Sequence, residues 1–246
     1  MQQVARLRRF ASRAARKFRD RRAVAPPASE AVGSPSYSAA GEDRIVIAWL
    51  QVVFQFYDAS EIRYCDIGAA HPTRINNTYA LYQMGASGVL IEPDPEQARV
   101  LQEVRPRDKV LNVGAAFDER RTAKLKRFTA RVFNTFSTDQ ADHVLASSKN
   151  WRPDQLQQII DEVEVPLVPV NDILDRYFPD GRIHFISIDA EGVDFPILQS
   201  IDFTRFRPKL ICVERSRTIE ELDLVLNPHG YQFAATTPDN AIYKLG

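Results

Sequence analysis

From residue 42 onward, short runs of Ile, Val and Leu alternate with segments of helical period, and that alternation admits few folds. IRYCDI (62–67), SGVLIE (87–92), KVLNVGAAF (109–117), IHFISI (183–188) and KLICVE (209–214) read as buried strands. EDRIVIAWLQVVFQFY (42–57), NNTYALYQMG (76–85), DPEQARVLQEV (94–104) and the stretches 193–200 and 218–228 read as helices, with Asp94 placed to cap the third. YQFAAT (231–236) and AIYKL (241–245), separated only by TPDN, read as a hairpin, so one of the two runs antiparallel. Residues 122–170 are less regular. They offer a strand-like stretch, a polar loop, helical pieces at 138–147 and 153–163, and then VEVPLVPV (163–170) ahead of a short helix opened by Asn171. The expected fold is α/β, a doubly wound, mostly parallel seven-stranded sheet covered on both faces and ending in an antiparallel hairpin.

Charge divides the chain further. Lys+Arg and Asp+Glu both number 32, but residues 1–22 hold nine basic side chains and one acid. A +8 segment therefore precedes a −8 body. Val4, Leu7, Phe10, Ala11, Ala14 and Phe18 fall on one helical face among the arginines. Residues 1–22 thus read as a basic amphipathic tail, suited to an anionic membrane surface or an acidic partner, or simply solvated. An Arg-rich, acid-poor start also has the composition of a mitochondrial transit peptide. The Ala/Pro/Ser/Gly stretch 23–41 reads as a flexible linker, and 42–246 as the folded domain. No run approaches the roughly 18–20 apolar residues of a membrane-spanning helix. Cys65 and Cys212 are too few for a disulfide framework. An acidic body argues against nucleic acid as partner. The expectation is a cytoplasmic protein, or one peripheral at a membrane surface through its tail.

In an open α/β sheet, ligands bind beyond the carboxyl ends of the strands. Asp66 and Gly68 end the first strand, followed by Ala69, Ala70 and His71. A glycine there lets backbone approach a ligand; plain turn chemistry is the alternative. The G-x-G-x-x-G fingerprint is not met, which disfavours a nicotinamide oxidoreductase. Glu92, before Pro93, follows Gly68 by 24 residues, close to the offset at which an acid meets ribose hydroxyls. Asn112, Val113, Gly114 and Ala115 leave room for a flat ring, or for tight packing. Asp189 and Glu191 follow the fourth strand, where Asp189 could take a proton from a hydroxyl or the pair could ligate a divalent ion such as Mg. Helix capping is the alternative, and Asp194 is read that way. Glu214 is a further rim acid. In the long polar connection, Asn134, Thr135, Ser137 and His143 offer groups to a hydroxylated ligand.

Taken in order, DIGA, NNTYALYQMG, GVLIEPDP, VLNVGAAF, FISIDAEGVDFPILQ and RPKLICVE resemble the FkbM-type family of S-adenosylmethionine-dependent methyltransferases, over residues 42 to about 245. The resemblance implies a class I, Rossmann-like fold. It implies S-adenosyl-L-methionine as cofactor, with Asp66 and Gly68 at its methionine part, Glu92 on the ribose hydroxyls and Asn112 to Ala115 flanking the adenine. Asp189 and Glu191 match the D-x-E-G motif near the transferred methyl. It further implies O-methylation of a sugar, polysaccharide or natural-product acceptor. The run Ala69-Ala70-His71-Pro72 departs from the family pattern, in which a further glycine is common. The rival reading is a non-catalytic binding or scaffold protein docked through its basic tail.

Overall fold

The computed structural model describes residues 36–246, so the basic segment 1–22 and the linker up to residue 35 lie outside the described residues. The strands are β1 (Arg63–Ile67), β2 (Ser87–Ile91), β3 (Lys109–Leu111), β4 (Gly114–Ala116), β5 (Thr122–Phe128), β6 (Ile159–Pro169), β7 (Phe185–Ile188), β8 (Leu210–Glu214), β9 (Tyr231–Thr236) and β10 (Asn240–Leu245). Between them run α1 (Glu42–Ala48), α2 (Tyr79–Gln83), α3 (Pro95–Val104), α4 (Thr138–Ser148), α5 (Val170–Tyr177), α6 (Asp194–Ser200) and α7 (Ile219–Leu226). Seven strands form one sheet in the order β3-β2-β1-β7-β8-β10-β9. Pairing is parallel except where β10 meets β8 and β9. This is the expected doubly wound sheet with its antiparallel end, a class I methyltransferase-like architecture.

Alternate residues of the central strands feed two cores. Cys65, Ile67, Val89 and Ile91 face α5 and α6, whereas Tyr64, Leu90 and Val110 face α1, α2 and α3. Both faces are apolar because both are covered, so these strands read as continuous hydrophobic runs. Both cysteines are fully buried and free.

Three elements differ from the sequence expectation. The helix expected over 42–57 keeps its regular form only to Ala48, with a wider turn over Trp49–Val53. Beyond Leu50 it has no core to cover, with Val52 74% exposed. The chain turns at Gln55 (φ 60°) and lays Phe56 edge-on against His184, 4.5 Å between centroids. The expected strand 109–117 divides at Asn112, whose side-chain amide donates to the carbonyls of Glu92 and Pro93. Its second half leaves the main sheet and pairs with β6 in a separate sheet ordered β4-β6-β5. The expected helix 153–163 is instead a single tight turn over Pro153–Gln155, a short irregular link and, from Ile159, the start of β6. Its acids sit opposite β5 cations, Glu164 against Lys124 and Glu162 against Lys126, a pairing that supports antiparallel strands. Residues 36–41, within the expected linker, pack on the body: Asn76 N–H donates to the Tyr37 carbonyl, and Asp43 accepts from Tyr37 N–H at 2.8 Å.

A buried cation fastens β1 to α2 and to the turn after α3. Arg105 is fully buried and donates to Asp108 (2.7 Å), the Tyr64 hydroxyl (2.8 Å), Thr78 Oγ1 (3.0 Å) and Asn76 Oδ1 (3.1 Å). Thr78 Oγ1 in turn donates to Asp66 at 2.7 Å. Removing one member of a buried ion pair leaves the other charge uncompensated. Arg105→Met should therefore lower the unfolding free energy in urea by about 3–5 kcal/mol, and Asp108→Leu added to it should recover part of that loss. A change of less than about 1 kcal/mol in the single variant would show that the network is not structural.

Candidate active site

The ends of β1, β2 and β7 converge on one cleft. Gly68, with φ 84°, passes so close to the end of β7 that a Cβ built on it would stand 1.9 Å from the Asp189 carbonyl oxygen. Only glycine satisfies both the left-handed backbone and that approach. Ala70 also adopts a positive φ, 47°, so the loop keeps a glycine-like conformation at a residue that carries a Cβ. Its N–H donates to Glu92 Oε2 at 2.7 Å, and Asp94 N–H donates to Oε1 at 2.8 Å. Each carboxylate oxygen thus holds one loop amide and retains a lone pair. Burial pushes the Glu92 carboxyl up to about 7, against those two amides.

Asp94 caps α3 by accepting from Glu96 N–H, and it also anchors the cleft's other wall. Asn134 donates to it at 2.8 Å, Arg127 reaches it at 3.4 Å, and Arg131 lies 3.5 Å away. Arg131, Asn134 and Phe136 line the cleft from this connection. Thr135 Oγ1 donates to the Glu191 carbonyl (2.7 Å), and Gln140 Nε2 to the Glu191 carboxylate (3.1 Å). Glu191 has φ 47° and is followed by Gly192 at φ 99°, so the turn after β7 has two consecutive left-handed residues. Asp194 sits beneath this turn and accepts from Ala190 N–H (2.5 Å) and Gly192 N–H (3.1 Å). Burial, with Asp189 next in weight, raises its carboxyl to about 7.

The cleft gathers Gly68, Ala70, Glu92, Pro93, Gly114, Ala115, Asn134, Asp189 and Glu191 among the residues singled out from the sequence. The others stand elsewhere. Asp66 lies beneath the floor, buried, bonded to Thr78 and Asn76, its carboxyl raised by burial and lowered by Arg105. Ala69 is buried behind the loop and Val113 packs against the core. His71 lines an adjoining cavity, with Nδ1 facing the N–H groups of Thr73 and Arg74. Asn112 is turned onto the Glu92 and Pro93 carbonyls. Thr135 holds Glu191, Ser137 caps α4, and His143 lies 3.2 Å from Ser147 Oγ on α4. The carboxylate cluster that could approach a cation is Asp189, Asp194 and Glu214, within 4.8 Å of one another, and Glu191 is not part of it. Because Glu191 lies outside that cluster, the pair Asp189–Glu191 expected for a divalent ion is not supported; both Asp194 oxygens already accept backbone amides. Ile75, Arg131, Val132 and Phe136 line the cleft without having been singled out. Phe136 lies inside the polar stretch NTFST (134–138) and Arg131 and Val132 just before it, whereas Ile75 directly precedes the helical run that begins at residue 76.

Counted with the open space at its mouth, the cleft bounds about 720 Å³. A buried acid held by loop amides, a floor without a Cβ and apolar walls at Ile75, Ile91 and Val132 fit a nucleoside with its ribose on Glu92. Asp189 and Glu191 add negative charge suited to a sulfonium. The fold and cleft define a class I, Rossmann-like α/β protein with its cleft at the carboxyl ends of the strands. The methyltransferase FkbM domain matches residues 66–233, and the chain belongs to that family. It is an S-adenosylmethionine-dependent methyltransferase. Among solved structures it is similar to a TehB-like SAM-dependent methyltransferase from Corynebacterium glutamicum, at 9% identity and TM-score 0.42 over 96% of this chain and 98% of that one. It is also similar to a Pyrococcus horikoshii protein provisionally described as an RNA methyltransferase, at 11% identity and TM-score 0.41 over 83% and 84%. Among the described residues no helix is long and apolar enough to cross a membrane.

Glu92 and Asp194 both titrate near 7 when folded, against about 4 in an unfolded chain. The native state holds their protons between those values. Their contribution to stability is therefore complete below about pH 4 and is lost as pH rises through 7. Unfolding free energy should fall by a few kcal/mol between pH 5 and pH 8, and Glu92→Gln should flatten that fall even though it weakens the loop. An identical slope in the variant would show that Glu92 is already ionised at pH 5.

Proposed function

We propose that this methyltransferase acts on oxygen, moving the methyl group of S-adenosylmethionine to a hydroxyl of a sugar, polysaccharide or other hydroxylated natural product. The observation that carries the reading is Asp189: a carboxylate at the end of β7 that lines the same cleft as the amide-held Glu92. The bound cofactor would supply an electrophilic methyl on a cationic sulfur. The chain's own part is alignment and proton removal. Glu92 accepts from the ribose hydroxyls, and the Gly68–Ala70 backbone sets the depth of the floor. Ile75, Val132 and Phe136 exclude water. An alcohol is a weak nucleophile until its proton leaves, and Asp189 is the base that takes it as the oxygen advances on the methyl in line. Glu191, fixed by Gln140 and Thr135, holds the turn and contributes charge toward the sulfonium.

Transfer of labelled methyl to a panel of sugar-containing acceptors tests the base. Asp189→Asn should lower kcat by about 10²–10⁴-fold. S-adenosylhomocysteine should still raise the melting midpoint of the variant as it does that of the wild type, because a ligand bound only to the native state stabilises it. If the variant loses the midpoint shift as well, Asp189 belongs to the cofactor site and not to proton removal.

A further inference from the structure

A second cavity opens beside the cleft and shares Ala70, Ile75, Arg131 and Val132 with it. Counted to its mouth it is the larger, about 1,390 Å³ against 720 Å³. Its remaining wall mixes polar and apolar groups, built from Ser36–Ser38, the loop after β1, Gln97 of α3 and Thr129–Ala130. No carboxylate side chain lines it, whereas two guanidinium groups and the His71 imidazole do. Behind the Ser36–Ser38 wall, Asp43 is buried and accepts from Ser36 Oγ, Ser38 Oγ and Tyr37 N–H.

The two arginines differ. Arg131 is neutralised by Asp94 and Glu96, 3.5 and 2.9 Å away. Arg74 is exposed, lies against His71 Nε2 at 3.1 Å, and forms no ion pair among the described residues. The Nε–Nη2 edge of Arg74 faces His71 Nε2 at 3.3 and 3.1 Å, and the remaining guanidinium donors, on a wall without carboxylates, can take an oxyanion.

We propose that the second cavity is an oxyanion subsite for the methyl acceptor. Arg74 holds a carboxylate or phosphate group carried by the hydroxylated molecule while a hydroxyl of that molecule reaches the cleft. The acceptor class is thereby an acidic sugar, a sugar acid or sugar phosphate, rather than a neutral one. This rests on the reading of the first cleft as the cofactor site. The same chemistry could be supplied by the cofactor's own α-carboxylate, and the experiment separates the two sources.

The full chain and its Arg74→Gln and Arg74→Lys variants are titrated by calorimetry with S-adenosylhomocysteine and with 5′-methylthioadenosine, which lacks the amino-acid part. The S-adenosylhomocysteine-loaded proteins are then titrated with glucose 6-phosphate and with glucose. The expected result is that glucose 6-phosphate binds the loaded wild type at least ten-fold more tightly than glucose. That preference is lost in Arg74→Gln and reduced but still present in Arg74→Lys, which keeps the charge without the fork, while S-adenosylhomocysteine affinity is the same in all three. Equal affinities for the two sugars in the wild type, or a preference that survives in Arg74→Gln, would overturn the proposal. So would a ten-fold loss of S-adenosylhomocysteine in Arg74→Gln with methylthioadenosine unchanged, which would assign Arg74 to the cofactor's carboxylate. Failure of the wild type to bind S-adenosylhomocysteine would instead overturn the cofactor reading on which the proposal stands.

Discussion

The cleft depends on one backbone approach, Gly68 against the carbonyl of Asp189. Because no side chain intervenes, Asp189 N–H reaches the Ile67 carbonyl at 2.9 Å and Gly68 N–H reaches the Ile91 carbonyl at 2.9 Å. The ends of β7, β1 and β2 are therefore fastened side by side, and the residues that follow each strand arrive at one place. The strand order makes this the switch point of the sheet: the chain builds outward from β1 through β2 to β3, then resumes on the other side with β7. Glu92 and Asp189 are 97 positions apart in the sequence and line one cleft for this reason.

Around that floor, polar groups do the positioning. Asp94 and Asp194 are both buried, and each accepts backbone amides that shape a turn beside the site. Asp94 also ties down Asn134 and the arginines of the roof, so the IEPDP motif supplies two acids with separate tasks. Glu92 lines the cleft and Asp94 holds the wall beside it. Beneath the floor, Asp66 joins the Arg105 network through Thr78 and so acts on the loop from below. A buried network that is fully hydrogen-bonded fixes one geometry, because any alternative leaves charge unpaired in a low-dielectric interior.

Much of this was legible in the sequence. Parallel strands buried on both faces appear as unbroken apolar runs, which is why β1, β2, β7 and β8 and the final hairpin stand out. Asp94 before Pro95 and an acid-rich helix start was readable as a cap because capping is local. Glu92 and Asp189 were readable because strand ends point into the crevice. The misread elements depend on partners remote in sequence. The β6 segment IIDEVE is extended because β5 presents cations opposite its acids. The run 109–117 breaks because Asn112 satisfies the carbonyls of the neighbouring loop. Arg105 carries no local sign that it will be buried with Asp108 and Tyr64. Asp66 matches a motif position, yet tertiary hydrogen bonds from Thr78 and Asn76 turn it away from the cleft.

In the proposed function, Glu92 holds the ribose of an adenosyl cofactor above the Gly68 floor. A double cycle measures that contact directly, with S-adenosylhomocysteine and its analogue lacking the ribose hydroxyls titrated into the wild type and Glu92→Ala. Removal of the hydroxyls should weaken binding to the wild type by about ten-fold or more, some 1.4 kcal/mol, and should cost little further in Glu92→Ala. An equal loss in both proteins would contradict the account, because the hydroxyls would then be held by groups other than Glu92.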